Sequence, residues 1–271
     1  MKHLKSISIL GCGWLGKPLA VELIKAGYPV SGSTTQENKL RELEPLGINP
    51  FLIKFDPLFS GSEAPGFFQT DTLIITIPPK RKSGQTDIYV EQIRNVVEEV
   101  LKSNIQKVLF ISATSVYADG DRVVSETDAD PNSYLVHAEN ILQQQAKFKT
   151  TVIRLGGLVG PGRNPGRFLA GKKDVQGGDH PVNIIHQRDC IGIIKTILDK
   201  QVWGEVFNAC ADHHPTRKEF YSAASALMKL EVPQFSDVDV SKNKVVNGVK
   251  VKTQLNYNFV YPDPIEMLGS L

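Results

Sequence analysis

The segment Gly11-Cys12-Gly13-Trp14-Leu15-Gly16 stands between a short apolar run, Ser6–Leu10, and an amphipathic stretch, Leu15–Ala26, that stops at Gly27. A GxGxxG pattern with a strand before it and a helix after it restricts the possible folds more than any other feature of the chain. Gly11 permits the tight turn out of the strand. Gly13 lets the backbone approach a pyrophosphate, and Gly16 lets the helix pack close to the strand. The start of the helix offers N–H groups and partial positive charge to phosphates. Pro18 falls in the first turn, where a missing N–H costs little. Leu15, Leu19 and Leu23 share the face turned to the sheet. Gly11, Gly13, Trp14, Leu15 and Gly16 are therefore expected to bind a dinucleotide; the alternative is a glycine-rich turn that only packs.

The rest of the chain alternates in the same way. Strands are expected at Ser6–Leu10, Val30–Ser33, Phe51–Phe55, Thr72–Ile77, Lys107–Ser112 and Thr151–Leu155. Helices are expected at Leu15–Ala26, Asn38–Leu46, Tyr89–Leu101 and Ser133–Lys147. The strands are apolar throughout rather than alternating, as parallel strands covered on both faces should be. The order predicts an α/β fold, a Rossmann-type doubly wound parallel sheet with a smaller C-terminal substrate lobe. Gly156–Gly178 is rich in Gly, Pro and Arg. Beyond it a strand is expected at Val182–His186, a helix at Cys190–Leu198, a strand at Val206–Ala209 and a helix at Thr216–Leu230. The predicted division is a dinucleotide-binding domain over 1–155, to which 181–209 returns. The lobe takes 156–180 and 210–271.

Lys plus Arg number 31 and Asp plus Glu 29, so no strong field favours nucleic acid or an anionic membrane. No apolar run approaches the roughly 20 residues that span a bilayer, and the first residues lack the apolar stretch of a signal peptide. Cys12, Cys190 and Cys210 are odd in number and far apart, unlike a disulfide framework or a metal site. A cytoplasmic protein without a bound metal is expected, with a small-molecule substrate and no nucleic-acid or membrane partner; a homodimer is compatible with this.

The end of the second strand bears on the cofactor. NAD binders usually carry an acid about 20 residues after the first glycine, to hold the ribose 2′-OH. Here the chain reads Gly32-Ser33-Thr34-Thr35-Gln36. Hydroxyls of Ser33, Thr34 and Thr35, with charge from Lys39 or Arg41, suit a 2′-phosphate and favour NADP over NAD. The same residues can instead cap the next helix. Asp56 closes the third strand and can accept from the adenine amino group. Pro78 and Pro79 end the fourth strand, where the chain would pass the cofactor, and Lys80, Arg81 and Lys82 follow.

Further landmarks are Phe110-Ile111-Ser112-Ala113-Thr114-Ser115-Val116-Tyr117, Pro131-Asn132-Ser133-Tyr134, Arg154 through Gly160-Pro161-Gly162, and Ile184-Ile185-His186-Gln187-Arg188-Asp189. Val206-Phe207-Asn208 and Thr216-Arg217-Lys218-Glu219-Phe220 come later. Their order and spacing resemble the extended short-chain dehydrogenase/reductase superfamily, in its NAD-dependent epimerase/dehydratase-like branch, over nearly the whole chain. The likeness is greatest to a bacterial subgroup whose catalytic motifs have drifted. The resemblance implies a Tyr that exchanges a proton with a substrate oxygen while hydride moves to or from nicotinamide. It also implies a Lys four residues later, on the same helix face, and a Ser or Thr bonded to the substrate oxygen. Tyr134 is retained. The Lys position is Ala138, and the usual Ser/Thr position is Ala113; Thr114 and Ser112 are the adjacent candidates. His137 is the next acid or base by intrinsic pKa, turned about 100° from Tyr134 around the helix.

Arg163 and Arg167 lie where the family's substrate lobe begins and can clamp a carboxylate or phosphate. The family often carries an Arg before the Ile184–His186 strand; here Pro181-Val182-Asn183 stands there. His186 and Asp189 are expected to be structural. Two functions follow. One is an NAD(P)-dependent oxidoreductase or epimerase/dehydratase-like enzyme acting on a hydroxyl or carbonyl, a sugar derivative among the candidates. The other is a non-catalytic NAD(P) sensor that binds a regulatory partner.

Overall fold

The computed structural model describes residues 5–55, 59–60, 64–79, 86–236 and 243–271. β1 (Ile7–Leu10) leads into α1 (Gly16–Lys25), then β2 (Val30–Thr34), α2 (Leu40–Leu43) and β3 (Asn49–Leu52). A short antiparallel pair, β4 (Lys54–Phe55) and β5 (Phe59–Ser60), and α3 (Ala64–Phe67) precede β6 (Thr72–Ile75), α4 (Thr86–Lys102) and β7 (Lys107–Ala113). Next come β8 (Arg122–Val124), α5 (Tyr134–Gln143), β9 (Lys149–Leu155), β10 (Gly157–Val159), α6 (Gly166–Leu169) and β11 (Ile184–His186). The chain ends with α7 (Gln187–Lys200), β12 (Val206–Ala209), α8 (Arg217–Leu227), β13 (Lys244–Val246), α9 (Val249–Leu255) and α10 (Pro264–Met267).

The main sheet has seven strands in the order β12-β9-β7-β6-β1-β2-β3. β1 pairs in parallel with β2 on one side, Ile7 opposite Val30, and with β6 on the other, Ile7 opposite Thr72. The direction of winding therefore reverses beside β1, and such a switch point opens a crevice at the carboxyl ends of the strands. Every residue of β1 and of β6 is buried, which is why both read as unbroken apolar runs. α1 buries Leu19 and Leu23, and α4 buries Ile93, Val96, Val97 and Val100, an i, i+3, i+4, i+7 stripe.

The local differences from expectation have local causes. The helical stretch over 38–46 is three short turns, because Pro45 and Gly47, the latter left-handed at φ 78°, stop the helix from propagating. The third strand is Asn49–Leu52, displaced from Phe51–Phe55. α5 ends at Gln143, four residues before the expected Lys147. Asp56 and Lys80–Lys82 lie outside the described residues.

The chain divides into two compact units. One comprises Met1–Ser112, Pro131–Ile153 and Gln201–Val206; the other comprises Ala113–Asp130, Arg154–Lys200 and Phe207–Leu271. In the second unit Gly157 N–H donates to Asn183 O at 2.6 Å, and β10 pairs with β11 in a two-stranded parallel sheet. The return of residues 181–209 to the main sheet is thus made by β12 alone. β8 pairs with β13, Arg122 opposite Lys244. The core of this unit gathers Val159, Val182, Ile184, Phe220, Ala224 and Met267. Asp189, fully buried, accepts from Tyr257 O–H and from the N–H groups of Val260 and Tyr261, and so anchors the C-terminal segment. Among the described residues no helix is long and apolar enough to cross a membrane.

Candidate functional site

The glycine loop occupies the switch point of the first unit. Gly11 has φ 107°, a conformation that L side chains rarely adopt. Its N–H donates to Ser33 Oγ at 2.9 Å, and its carbonyl accepts from Thr76 Oγ1 at 2.6 Å. The ends of β1, β2 and β6 are therefore tied at one residue. A Cβ on Gly16 would stand 2.3 Å from Gly11 O, so the close helix–strand approach requires glycine there. A Cβ on Gly13 would meet nothing within 4 Å, and Gly13 is exposed. The space beside it is open to a ligand. Leu15, the cap residue before α1, provides no side-chain cap bond to the helix N-terminus. Backbone without Cβ atoms, open space and an uncapped helix start fit a dinucleotide pyrophosphate.

Ser33 is buried, and its hydroxyl accepts from Gly11 N–H; it positions the loop rather than lying exposed for a 2′-phosphate. Thr34 Oγ1 accepts from Gln36 N–H at 3.2 Å, a local turn bond; the 3-10 turn over Glu37–Lys39 that follows has no side-chain cap, and Thr35 is exposed. Trp14 is half-buried, and Leu15 is buried beneath the loop. Pro78 is exposed and Pro79 half-buried, both just after β6. Burial pushes the Cys12 thiol up to about 12, which keeps it a neutral thiol at neutral pH.

Tyr134 is the first residue of α5, half-buried, with its ring edge-on to Tyr89 at 6.3 Å between centroids. Tyr89 O–H donates to Ile77 O at 3.1 Å, and burial raises its pKa. Ala138, one turn along α5 from Tyr134, is fully buried and carries no ammonium of its own; His137 is exposed. Ser112 needs correction as a catalytic candidate. It is 5% exposed, and its hydroxyl donates to Glu139 Oε1 at 2.6 Å. It is the penultimate residue of β7, with its side chain turned to the interior. Thr114 lies beyond the end of β7, in a 3-10 turn over Thr114–Val116, and belongs to the second unit. The turn frees it from strand alternation, and it lines a cleft within that unit.

That cleft, about 330 Å³, is lined by Thr114, Ser115, Asn183, Arg217, Tyr221 and Lys244 among others. Arg163 and Arg167 are exposed and do not line it. Arg163 belongs to a tight turn, its N–H donating to Gly160 O at 2.9 Å. Reasoning from sequence missed Arg217 and Lys244 as cleft residues. The available signal for Arg217 was its place directly after Thr216 in a capping box, Thr216 and Glu219 bonding each other's backbone N–H. Arg154 is buried and donates to Tyr117 O–H at 2.9 Å and to Glu126 O at 2.7 Å, a structural network. His186 Nδ1 accepts from Arg188 N–H, and Cys190 and Cys210 are buried free thiols. Among the described residues no cluster of His, Cys, Asp or Glu is placed to hold a metal ion.

The model of the NAD dependent epimerase/dehydratase family matches residues 7–210, which takes in the glycine loop, Tyr134 and the Ile184–Asp189 strand and turn. The chain belongs to the NAD-dependent epimerase/dehydratase family. Protein YeeZ of Escherichia coli (strain K12) is 34% identical over 274 aligned positions, covering 97% of this chain and 99% of that protein. Among solved structures, MoeE5 in complex with UDP-glucose and NAD superposes with a TM-score of 0.79 at 16% identity, over 98% of this chain and 96% of that one. The UDP-N-acetylglucosamine 4-epimerase of Bacillus cereus gives 0.75 at 13% identity, over 97% and 98%. At such identities the structural likeness concerns the fold. The family membership explains the order of landmarks from Gly11 to Asp189. The departures at Ala113 and Ala138 lie within the family frame, on β7 and α5.

Proposed function

We propose that this chain is an NAD(P)-dependent oxidoreductase or epimerase/dehydratase-like enzyme acting on a hydroxyl or carbonyl of a small molecule, a sugar derivative among the candidates. The observation that carries the proposal is the loop at the switch point: Gly11 fixed by Ser33 and Thr76, open space at Gly13, and an uncapped α1. When bound, the nicotinamide supplies a hydride donor or acceptor. Tyr134 gives or takes the proton of the substrate oxygen through its phenolic O–H. Thr34 and Thr35 with Lys39 or Arg41 favour the 2′-phosphate of NADP over NAD. With Ser33 engaged by the loop, that preference rests on fewer hydroxyls than the sequence offers.

Parallel titrations with NADPH and NADH, read by quenching of Trp14 in the loop, test the proposal. Saturable binding tighter for NADPH supports it. Tighter NADH keeps the enzyme and removes the 2′-phosphate assignment. Binding of neither removes the enzyme. NADPH turnover with a carbonyl panel should fall at least 100-fold in Tyr134→Phe; full activity in that variant takes Tyr134 out of the mechanism.

Ala113 and the buried Ala138 favour a second reading, a sensor that binds the cofactor without turnover and a regulatory partner in one cofactor state. It requires partner capture that changes with the NADPH/NADP ratio, and invariant capture would dismiss it.

A further inference from the structure

The geometry points to Arg217 as the anion anchor of the cleft within the second unit, where it holds a carboxylate or phosphate group of the substrate. The inference deepens the proposed function and rests on its premise that the chain handles a small molecule.

Arg217 Nε is buried and, among the described residues, has no hydrogen-bond partner. Among the described residues its guanidinium forms no hydrogen bond or ion pair; its recorded side-chain neighbour is the Tyr221 ring, 6.0 Å from the guanidinium carbon. A permanent cation with an unmet buried donor is unfavourable unless something supplies the acceptor. Among the described residues the lining contains no Asp or Glu.

The two asparagines and the lysine of the wall have assignments. Asn183 donates through Nδ2 to Lys244 O, and its Oδ1 accepts from Val246 N–H. Asn243 donates through Nδ2 to Pro181 O, and its Oδ1 accepts from Lys244 N–H. Lys244 Nζ lies 2.6 Å from Asp119 Oδ1, so its charge is largely met, and it adds a second, weaker cation. These bonds build the wall and leave Arg217, among its described residues, as the charged group without a hydrogen-bond or ion-pair partner.

The backbone that carries the guanidinium is held in place. Arg217 is the first residue of α8, its N–H donates to His180 O at 2.8 Å, and the Thr216–Glu219 capping box fixes the helix start beside it. A planar guanidinium fork on a fixed helix start suits bidentate bonds to a carboxylate or phosphate. A cleft of about 330 Å³ admits one part of a small metabolite. The Thr114 hydroxyl, on the same wall, is available to the remainder of that molecule.

The test is calorimetric titration of the intact protein with inorganic phosphate and with acetate, against sodium chloride at matched ionic strength. Wild type is expected to bind at least one of the two anions saturably, and which one binds separates phosphate from carboxylate. Arg217→Met should weaken that binding at least tenfold, Arg217→Lys should restore part of it, and Arg163→Met should leave it unchanged. No saturable binding in wild type, or equal binding by Arg217→Met, overturns the inference. If Arg217→Met does not fold, the Nε–Hε resonance of Arg217 in the wild type decides: it shifts on anion addition or the inference fails. NADH titration of the same samples keeps the two claims apart. NADH binding without anion binding removes the anchor and leaves the enzyme, and the converse removes the enzyme and leaves the anchor.

Discussion

Gly13 and Gly16 differ by what surrounds their missing Cβ atoms, and this separates binding from stability. Gly16→Ala drives a Cβ to 2.3 Å from a backbone oxygen, which must move. It is expected to lower stability by about 1–3 kcal/mol through overpacking and to weaken NADH binding as well. Gly13→Ala meets open space, so its melting temperature should stay near that of wild type while NADH affinity falls at least tenfold. Equal NADH affinity in Gly13→Ala would take the pyrophosphate away from this loop. Ser112 allows a similar separation. Its hydroxyl bonds buried Glu139, so Ser112→Ala should cost about 1–3 kcal/mol in denaturant unfolding and leave cofactor affinity unchanged. Lost turnover at unchanged stability would instead give Ser112 a role on the substrate.

At the scale of elements, the β1–loop–α1 unit is readable locally, because its signals are neighbours in sequence and obey short-range geometry. A different relation holds at α10, where Asp263 caps the helix through Ile265 N–H and also lies 2.9 Å from His213 Nδ1. The hydrogen bond from His213 lowers the Asp263 pKa below its ordinary 3.8, and Asp263 raises that of His213 above its ordinary 6.5. The Asp263 contribution is present above 3.8 and is lost as pH falls through the lowered value. The His213 contribution is present below 6.5 and is lost as pH rises through the raised value. The pair therefore stabilises most between those limits. Thermal melts from about pH 6 to 8 should show a decline that Asp263→Asn lacks. An identical decline in that variant would assign it to other groups. His213 is exposed, so the effect is small and weakens with salt.

For the molecule as a whole, cofactor binding is also a stability measurement. A ligand bound only by the folded chain at 100 times its Kd adds about 2.7 kcal/mol. NADH or NADPH at that excess should raise the melting temperature of wild type, and Gly13→Ala should respond far less at the same concentration. No rise for either cofactor would contradict the titrations proposed above. The amino-acid sequence alone determined the strand–loop–helix unit, the parallel sheet and the family landmarks. Those rest on contacts within a few residues, on the 3.6 and 2.0 periods, and on strands apolar on both faces. Only the tertiary structure decided where the hydroxyls and charges are used. Ser33 bonds Gly11, 22 residues away; Ser112 bonds Glu139, 27 residues away; and Arg217 lines a cleft with Lys244 and Thr114. A hydroxyl or guanidinium has the same composition whether it faces a ligand, a carboxylate or solvent. Its partner is set by which distant strand or helix packs beside it, and that is a property of the folded chain.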